Sequence, residues 1–146
     1  MTHHFDTELR TGFLCRHLST GWHMRILEGP APRAVTGQVI AASVPGTIRH
    51  DLATAGLLAS VKNEPHHAWI GKCVWEYSLD FPWRNAGTSH TELIFRGLPK
   101  MATASINGHL LGVASEKGPQ HHDVGALLFE GINTLKVSLP SRKPTL

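Results

Sequence analysis

From Trp75 to Phe81 the chain alternates strictly. Trp75, Tyr77, Leu79 and Phe81 are separated by Glu76, Ser78 and Asp80. Successive side chains of a strand point to opposite faces, so this run predicts a strand with one face in a core and one in water. Trp22, Met24 and Ile26 alternate in the same way with His23 and Arg25, and Leu135, Val137 and Leu139 with Lys136 and Ser138. Val39–Ala42 and Glu92–Arg96 are further short strands, the second ended by Gly97. Ala102–Ile106 and His109–Val113 are joined by Asn107-Gly108. A type I′ turn needs positive φ at both central residues, which Asn-Gly tolerates best, so this is a hairpin.

One helix interrupts the strands. Thr47 can cap it, Asp51 sits in its first turn near the positive end of the helix dipole, and Ile48, Leu52 and Ala55 fall at helical spacing before Gly56. It is about two turns long, so packing must hold it. Residues 1–17 show little periodicity and read as a loose lead-in. Ser60–Ala68 reads as a loop, Pro82–Thr88 as a turn, and 141–146 as the start of a linker to a further domain. The predicted fold is therefore all-β: two packed antiparallel sheets with one short helix over 18–140. No repeat of solenoid or propeller length is present.

The formal net charge is +3, and its 14 basic residues form no Lys/Arg block. With no basic stripe, nucleic acid is not an expected partner. No apolar run approaches the ~20 residues a membrane helix needs, and the start of the chain lacks a signal-peptide core. The expected partners therefore include no membrane, and the expected location is cytoplasmic. Cys15 and Cys73 are the two cysteines, read as reduced, partly buried thiols.

Glycoside hydrolysis usually needs two carboxyl groups about 5–5.5 Å or roughly 6.5–9.5 Å apart. Glu76 and Asp80 share a strand face, but at ~3.3 Å per residue they lie about 13 Å apart. Glu76 and Glu92 are a pair that could approach across strands. The adjacent histidines His3-His4, His66-His67 and His121-His122 are poor metal pairs, because strand neighbours point to opposite faces. No His-x-x-x-His or Cys-x-x-Cys occurs, so no metal and no cofactor is expected. Aromatic rings are the other route to sugar. Trp75 and Trp22 fall in the core phase. Trp69 is equally readable as core or as ligand contact, and Trp83, in its predicted turn, is the best exposed ring. The carbohydrate-binding candidates are Trp69, Trp83, Glu64, Lys72 and Trp75.

Several segments resemble the N-terminal domain of glycoside hydrolase family 2, and within it the β-mannosidase branch. They are Val44-Pro45-Gly46-Thr47-Ile48-Arg49-His50-Asp51-Leu52 with Ala55-Gly56-Leu57; Trp69-Ile70-Gly71 with Trp75-Glu76-Tyr77; Glu92–Leu98 with Ile106-Asn107-Gly108; and Asp123-Val124 with Gly131–Val137. The resemblance runs from about Leu18 to Leu139. It implies a jelly-roll, galactose-binding-domain-like sandwich, the sugar-binding domain. Its partners would be an immunoglobulin-like domain and a (β/α)₈ barrel of the same enzyme, with oligosaccharide as a further partner. The barrel would carry both catalytic glutamates, so no catalytic residue is expected here. The implied role is to pack on the barrel and shape its pocket in an enzyme that releases terminal β-D-mannose. The chain departs from the family's pattern at Val74, through Glu116–His122, and in a shortened 60–65 loop. Those departures motivate a second reading, a degenerate structural domain; a third, a free-standing carbohydrate-binding module, needs an exposed aromatic platform at Trp69 or Trp83.

Overall fold

A computed structural model describes residues 5–12, 14–58, 64–84, 90–114 and 118–141. Ten strands form two sheets: β1 Asp6–Thr11, β2 Leu14–His17, β3 His23–Glu28, β4 Ile40–Ala41, β5 Val74–Trp83, β6 Glu92–Arg96, β7 Thr103–Ile106, β8 His109–Val113, β9 Gln120–Asp123 and β10 Gly131–Leu139. The four-stranded sheet has the order β2-β1-β6-β9 and the six-stranded sheet β4-β3-β5-β10-β7-β8. All pairings are antiparallel.

The alternation of β5 fixes its orientation. Trp75, Tyr77, Leu79 and Phe81 are buried, and β10 pairs along the whole strand, from Leu139 opposite Trp75 to Gly131 opposite Trp83. Leu135, Val137 and Leu139 add to the same layer, while Leu9, Leu93 and Phe95 face it from the other sheet. Phe5, just before β1, joins the layers through edge-on contacts with Trp22 at 5.7 Å and Tyr77 at 5.4 Å. Such pairs add modestly to the apolar area they bury.

Helix α1 (Ile48–Thr54) forms as its capping signals predict. The Thr47 hydroxyl accepts from His50 N at 3.0 Å, and Gly56 has φ +74°. The hairpin also forms at its predicted turn, with φ +48° at Asn107 and +85° at Gly108. Gly29 answers a different need. Its φ is +129°, and a Cβ there would lie 2.6 Å from Cys73 Cα. The chain can leave β3 along this path only because Gly29 has no side chain.

Four expectations are corrected. Residues 6–11 and 14–17 are not a loose lead-in but β1 and β2, and β1 lies inside the four-stranded sheet. Its inward residues are Thr7, Leu9 and Thr11, so a single large apolar side chain marks the phase. The Ser60–Ala68 loop gives way at Glu64 to a 3₁₀ segment, Glu64–Lys72. The turn predicted from Pro82 starts later, because β5 runs through Trp83. Glu76 and Glu92 do not approach across strands, since β5 and β6 belong to different sheets. The sequence readings of Ser60–Asn63, of 85–89, of Glu116-Lys117 and of 142–146 fall outside the described residues.

Candidate functional site

The sugar-binding candidates divide between two ends of the sandwich. Trp75 is 1% exposed, and its indole N–H donates to Ile70 O at 3.0 Å. It is a satisfied core residue. Trp69 is half-buried, with its ring 6.2 Å from that of Trp75. Lys72 is exposed at the close of the 3₁₀ segment, and Glu64 opens that segment, its side chain lying outside the described residues. His67 is buried with Nδ1 2.7 Å from Arg49 Nη1, which ties the segment to α1.

Trp83 lies at the opposite end of β5. Eight residues at ~3.3 Å each separate it from Trp75 by about 26 Å. The five candidates therefore do not form one site. Trp83 is also not the exposed turn residue expected. It continues the inward phase of β5 and is half-buried, lining a cleft of about 450 Å³ with Leu9, Thr11, Leu14, Cys15, Arg16 and Arg84. Arg16 spans the sheets there, donating to Pro82 O at 2.6 Å with its guanidinium 5.9 Å from the Phe81 ring centre.

The family-like motifs prove to be structural fastenings. Asp51 is buried, and its carboxylate accepts from Ser43 N at 3.0 Å and Ser43 Oγ at 2.9 Å, pinning the turn at Val44–Gly46 to α1. Tyr77 Oη is buried and finds no hydrogen-bond partner among the described residues. Burial, with the Asp51 charge nearby, holds its phenol well above the usual range. Asn133 is 0% exposed. It accepts from Phe129 N and Asn107 Nδ2, both at 2.8 Å, and donates to Phe129 O at 3.0 Å and Gly131 O at 3.2 Å. Sequence reasoning missed Phe129, which this network holds in place.

A second buried polar group lies on the outer face of the four-stranded sheet. Glu8 is 3% exposed and accepts hydrogen bonds from the Cys15 thiol and Arg96 Nη1, with Arg10 Nη2 at 3.5 Å. The thiol's hydrogen bond first, and then Arg96 and Arg10, outweigh burial and hold its carboxyl at about 2. The same contact raises the Cys15 thiol, and burial raises that of Cys73. Both cysteines are free.

The carboxylates weighed for hydrolysis are engaged by neighbours. Glu76 is bound by Arg25 at 2.9 Å, and Asp80 accepts from Thr134 Oγ1 at 2.7 Å. Glu92 and Asp123 are register partners on the outer face. Each is met by an imidazole, Glu92 by His121 at 3.6 Å and Asp123 by His90 at 3.5 Å. Among the described residues, no carboxylate lines the Trp83 cleft, and Asp80 is the one that lines a neighbouring cleft at Arg16–Thr20 and Leu79–Pro82. His122 turns towards Phe95 at 6.1 Å while His121 faces Glu92, so the pair splits across the strand. Among the described residues no group of three or more His, Cys, Asp or Glu could hold a metal ion. His3-His4 lies outside them.

The sequence profile of the family described as glycosyl hydrolase 2 galactose-binding domain-like matches residues 22–144. The chain belongs to this family. Solved structures contain a domain of similar fold. A β-D-mannosidase from Dictyoglomus thermophilum is similar over 92% of this chain, with TM-score 0.75 and 25% identity. An FMN-binding β-glucuronidase from Facaelibacterium prausnitzii L2-6 is similar over 99%, with TM-score 0.57 and 16% identity. This chain spans 16% of the first protein and 19% of the second. No curated protein sequence matches it.

Proposed function

We propose that this glycosyl hydrolase 2 galactose-binding domain-like chain is the non-catalytic N-terminal domain of a β-mannosidase-type glycoside hydrolase. It packs on a catalytic barrel and shapes the rim of its pocket. The observation that carries the reading is the likeness to the Dictyoglomus thermophilum β-D-mannosidase, at TM-score 0.75, over only 16% of that protein. A sandwich does not by itself imply sugar chemistry, so the activity belongs to the whole enzyme.

In this role the 3₁₀ segment with Trp69 and Lys72 meets the barrel, held by the Trp75–Ile70 bond and the Arg49–His67 contact. A chimaera tests it: this chain replaces the corresponding domain of the Dictyoglomus thermophilum enzyme. Turnover of 4-nitrophenyl β-D-mannoside, lost on deleting the domain and restored in part by the graft, supports the proposal. A folded chimaera no more active than the deletion contradicts it.

A further inference from the structure

The Asn107-Gly108 turn carries a chemistry that its role in the hairpin leaves unused. Of the four asparagines, Asn63, Asn85, Asn107 and Asn133, only Asn107 is followed by glycine. Asparagine is among the heat-labile residues. Its side-chain amide lies within reach of the next residue's backbone nitrogen, and a glycine there has no side chain to block the approach. Both turn residues have positive φ, Gly108 is exposed, and a Cβ on it would meet nothing within 4 Å. Water and base therefore reach this peptide bond freely.

The Asn107 side chain is held away from that chemistry. Its Nδ2 donates to Leu127 O and to Asn133 Oδ1, each at 2.8 Å. Its Oδ1 accepts from Thr134 N at 2.9 Å, and its backbone N donates to Thr134 O at 2.8 Å. Asn133, the central partner, is fully buried. The amide is thus clamped on both of its polar atoms. Attack on Cγ requires the side chain to turn, and turning breaks all three side-chain bonds.

We propose that Asn107 is a self-modification site that the folded hairpin keeps shut, and that its conversion unfastens the hairpin tip permanently. When the tip opens, hydroxide takes the Gly108 N–H proton and that nitrogen bonds to Asn107 Cγ. The Cγ–Nδ2 bond breaks, and Nδ2 leaves as ammonia with a proton from water. A succinimide ring remains, and water opens it. Addition at Cγ restores the ordinary main chain with an aspartate at 107. Addition at the main-chain carbonyl carbon leaves an isoaspartate, with the chain routed through Cγ. Either way ammonia is lost and water gained, and nothing is oxidised or reduced.

Neither product re-forms the clamp. A carboxylate has no hydrogen to give, so Leu127 O and the buried Asn133 Oδ1 lose this donor and face a negative oxygen instead. Isoaspartate also adds a methylene to the main chain of a two-residue turn, whose geometry the flanking strands depend on. A transient local opening is thereby made irreversible. The site is independent of the proposed place in a larger enzyme.

The test follows the 146-residue chain at mildly alkaline pH, folded and unfolded in urea, by peptide mass mapping and by enzymatic methylation of isoaspartate. Unfolded, Asn107 converts ahead of the other three asparagines. Folded, it converts slower by about tenfold or more, as breaking three hydrogen bonds before attack implies. At sub-denaturing urea its rate rises in step with hydrogen exchange of the Thr134 amide, whose acceptor is Asn107 Oδ1. Asn107→Asp either lowers the unfolding midpoint or leaves the chain unfolded. The proposal is overturned if Asn107 converts at the same rate folded and unfolded, if it is not the first to convert in urea, or if its folded rate ignores Thr134 exchange. It is overturned equally if Asn107→Asp unfolds at or above the parent's midpoint.

Discussion

Asn107 Nδ2 donates to Asn133 Oδ1 at 2.8 Å while Asn107 Oδ1 accepts from Thr134 N at 2.9 Å, so the tip of one hairpin and the start of the last strand are a single fastened unit. Asn133→Ala strips partners from Phe129 N, Phe129 O and Asn107 Nδ2 at once. Each buried group left unpaired costs about 1–3 kcal/mol, so a loss of about 2–4 kcal/mol is expected by urea denaturation. A loss under about 0.5 kcal/mol would mean that the network does not hold the loop.

Glu8 gives the domain an acid-labile fastening. Its carboxyl is at about 2 when folded, below the ordinary value of 4.5, so the unfolded state takes up the proton first. The stabilisation is complete above about pH 5 and is lost as pH falls from there towards 2. Glu8→Gln should lower stability at pH 7 by about 1.5–3 kcal/mol, the range for hydrogen bonds to a charged group, and flatten the curve in that window. Denaturant midpoints at pH 2.5, 4 and 7 check this. Equal pH dependence in parent and variant would refute it.

The same contact predicts the chemistry of Cys15. The residue is exposed, yet its thiol donates to Glu8 and is held above its ordinary value. The thiolate is the nucleophile, so Cys15 should react with a disulfide reagent more slowly than a free cysteine at pH 8. Glu8→Gln should speed it. Cys73, buried, should react only on unfolding. A Cys15 rate indifferent to Glu8→Gln would contradict the pairing.

Gly29 and Tyr77 make opposite predictions about single-site changes. Gly29→Ala adds a Cβ 2.6 Å from Cys73 Cα at a φ that L-residues avoid, so thermal unfolding should show about 1–3 kcal/mol lost. Tyr77→Phe removes a buried hydroxyl that finds no partner among the described residues and should be neutral or stabilising by up to about 1 kcal/mol. Destabilisation of that variant by more than about 1 kcal/mol would show that the hydroxyl is bonded.

The sequence was most legible where one rule acted alone. β5 showed itself because four large inward side chains alternate with polar ones, the hairpin because Asn107-Gly108 demands positive φ, and α1 because Thr47 and Gly56 bracket it. β1 stayed hidden because its inward Thr7 and Thr11 are polar and its outward Glu8 is a buried charge, bound by Cys15 and Arg96 and paired in register with the buried Ile94. β9 stayed hidden because Gln120–Asp123 contains no apolar residue, and His122 packs on Phe95 instead. Trp83 was misplaced because Pro82, usually a breaker, is accommodated inside the end of β5. The hold on the Phe129 backbone matched no simple pattern, since it comes from the Asn133 side chain four residues on, which is itself bound by Asn107 from another hairpin.

These residues build a sandwich that, among those described, holds no matched pair of acids. Hydrolysis of 4-nitrophenyl β-D-mannoside by the purified 146-residue chain tests it most directly. The account predicts no release above that of buffer. Turnover near about 1 s⁻¹, within the ordinary enzymatic range, that follows the protein through chromatography and disappears in Glu92→Gln or Asp123→Asn would contradict it.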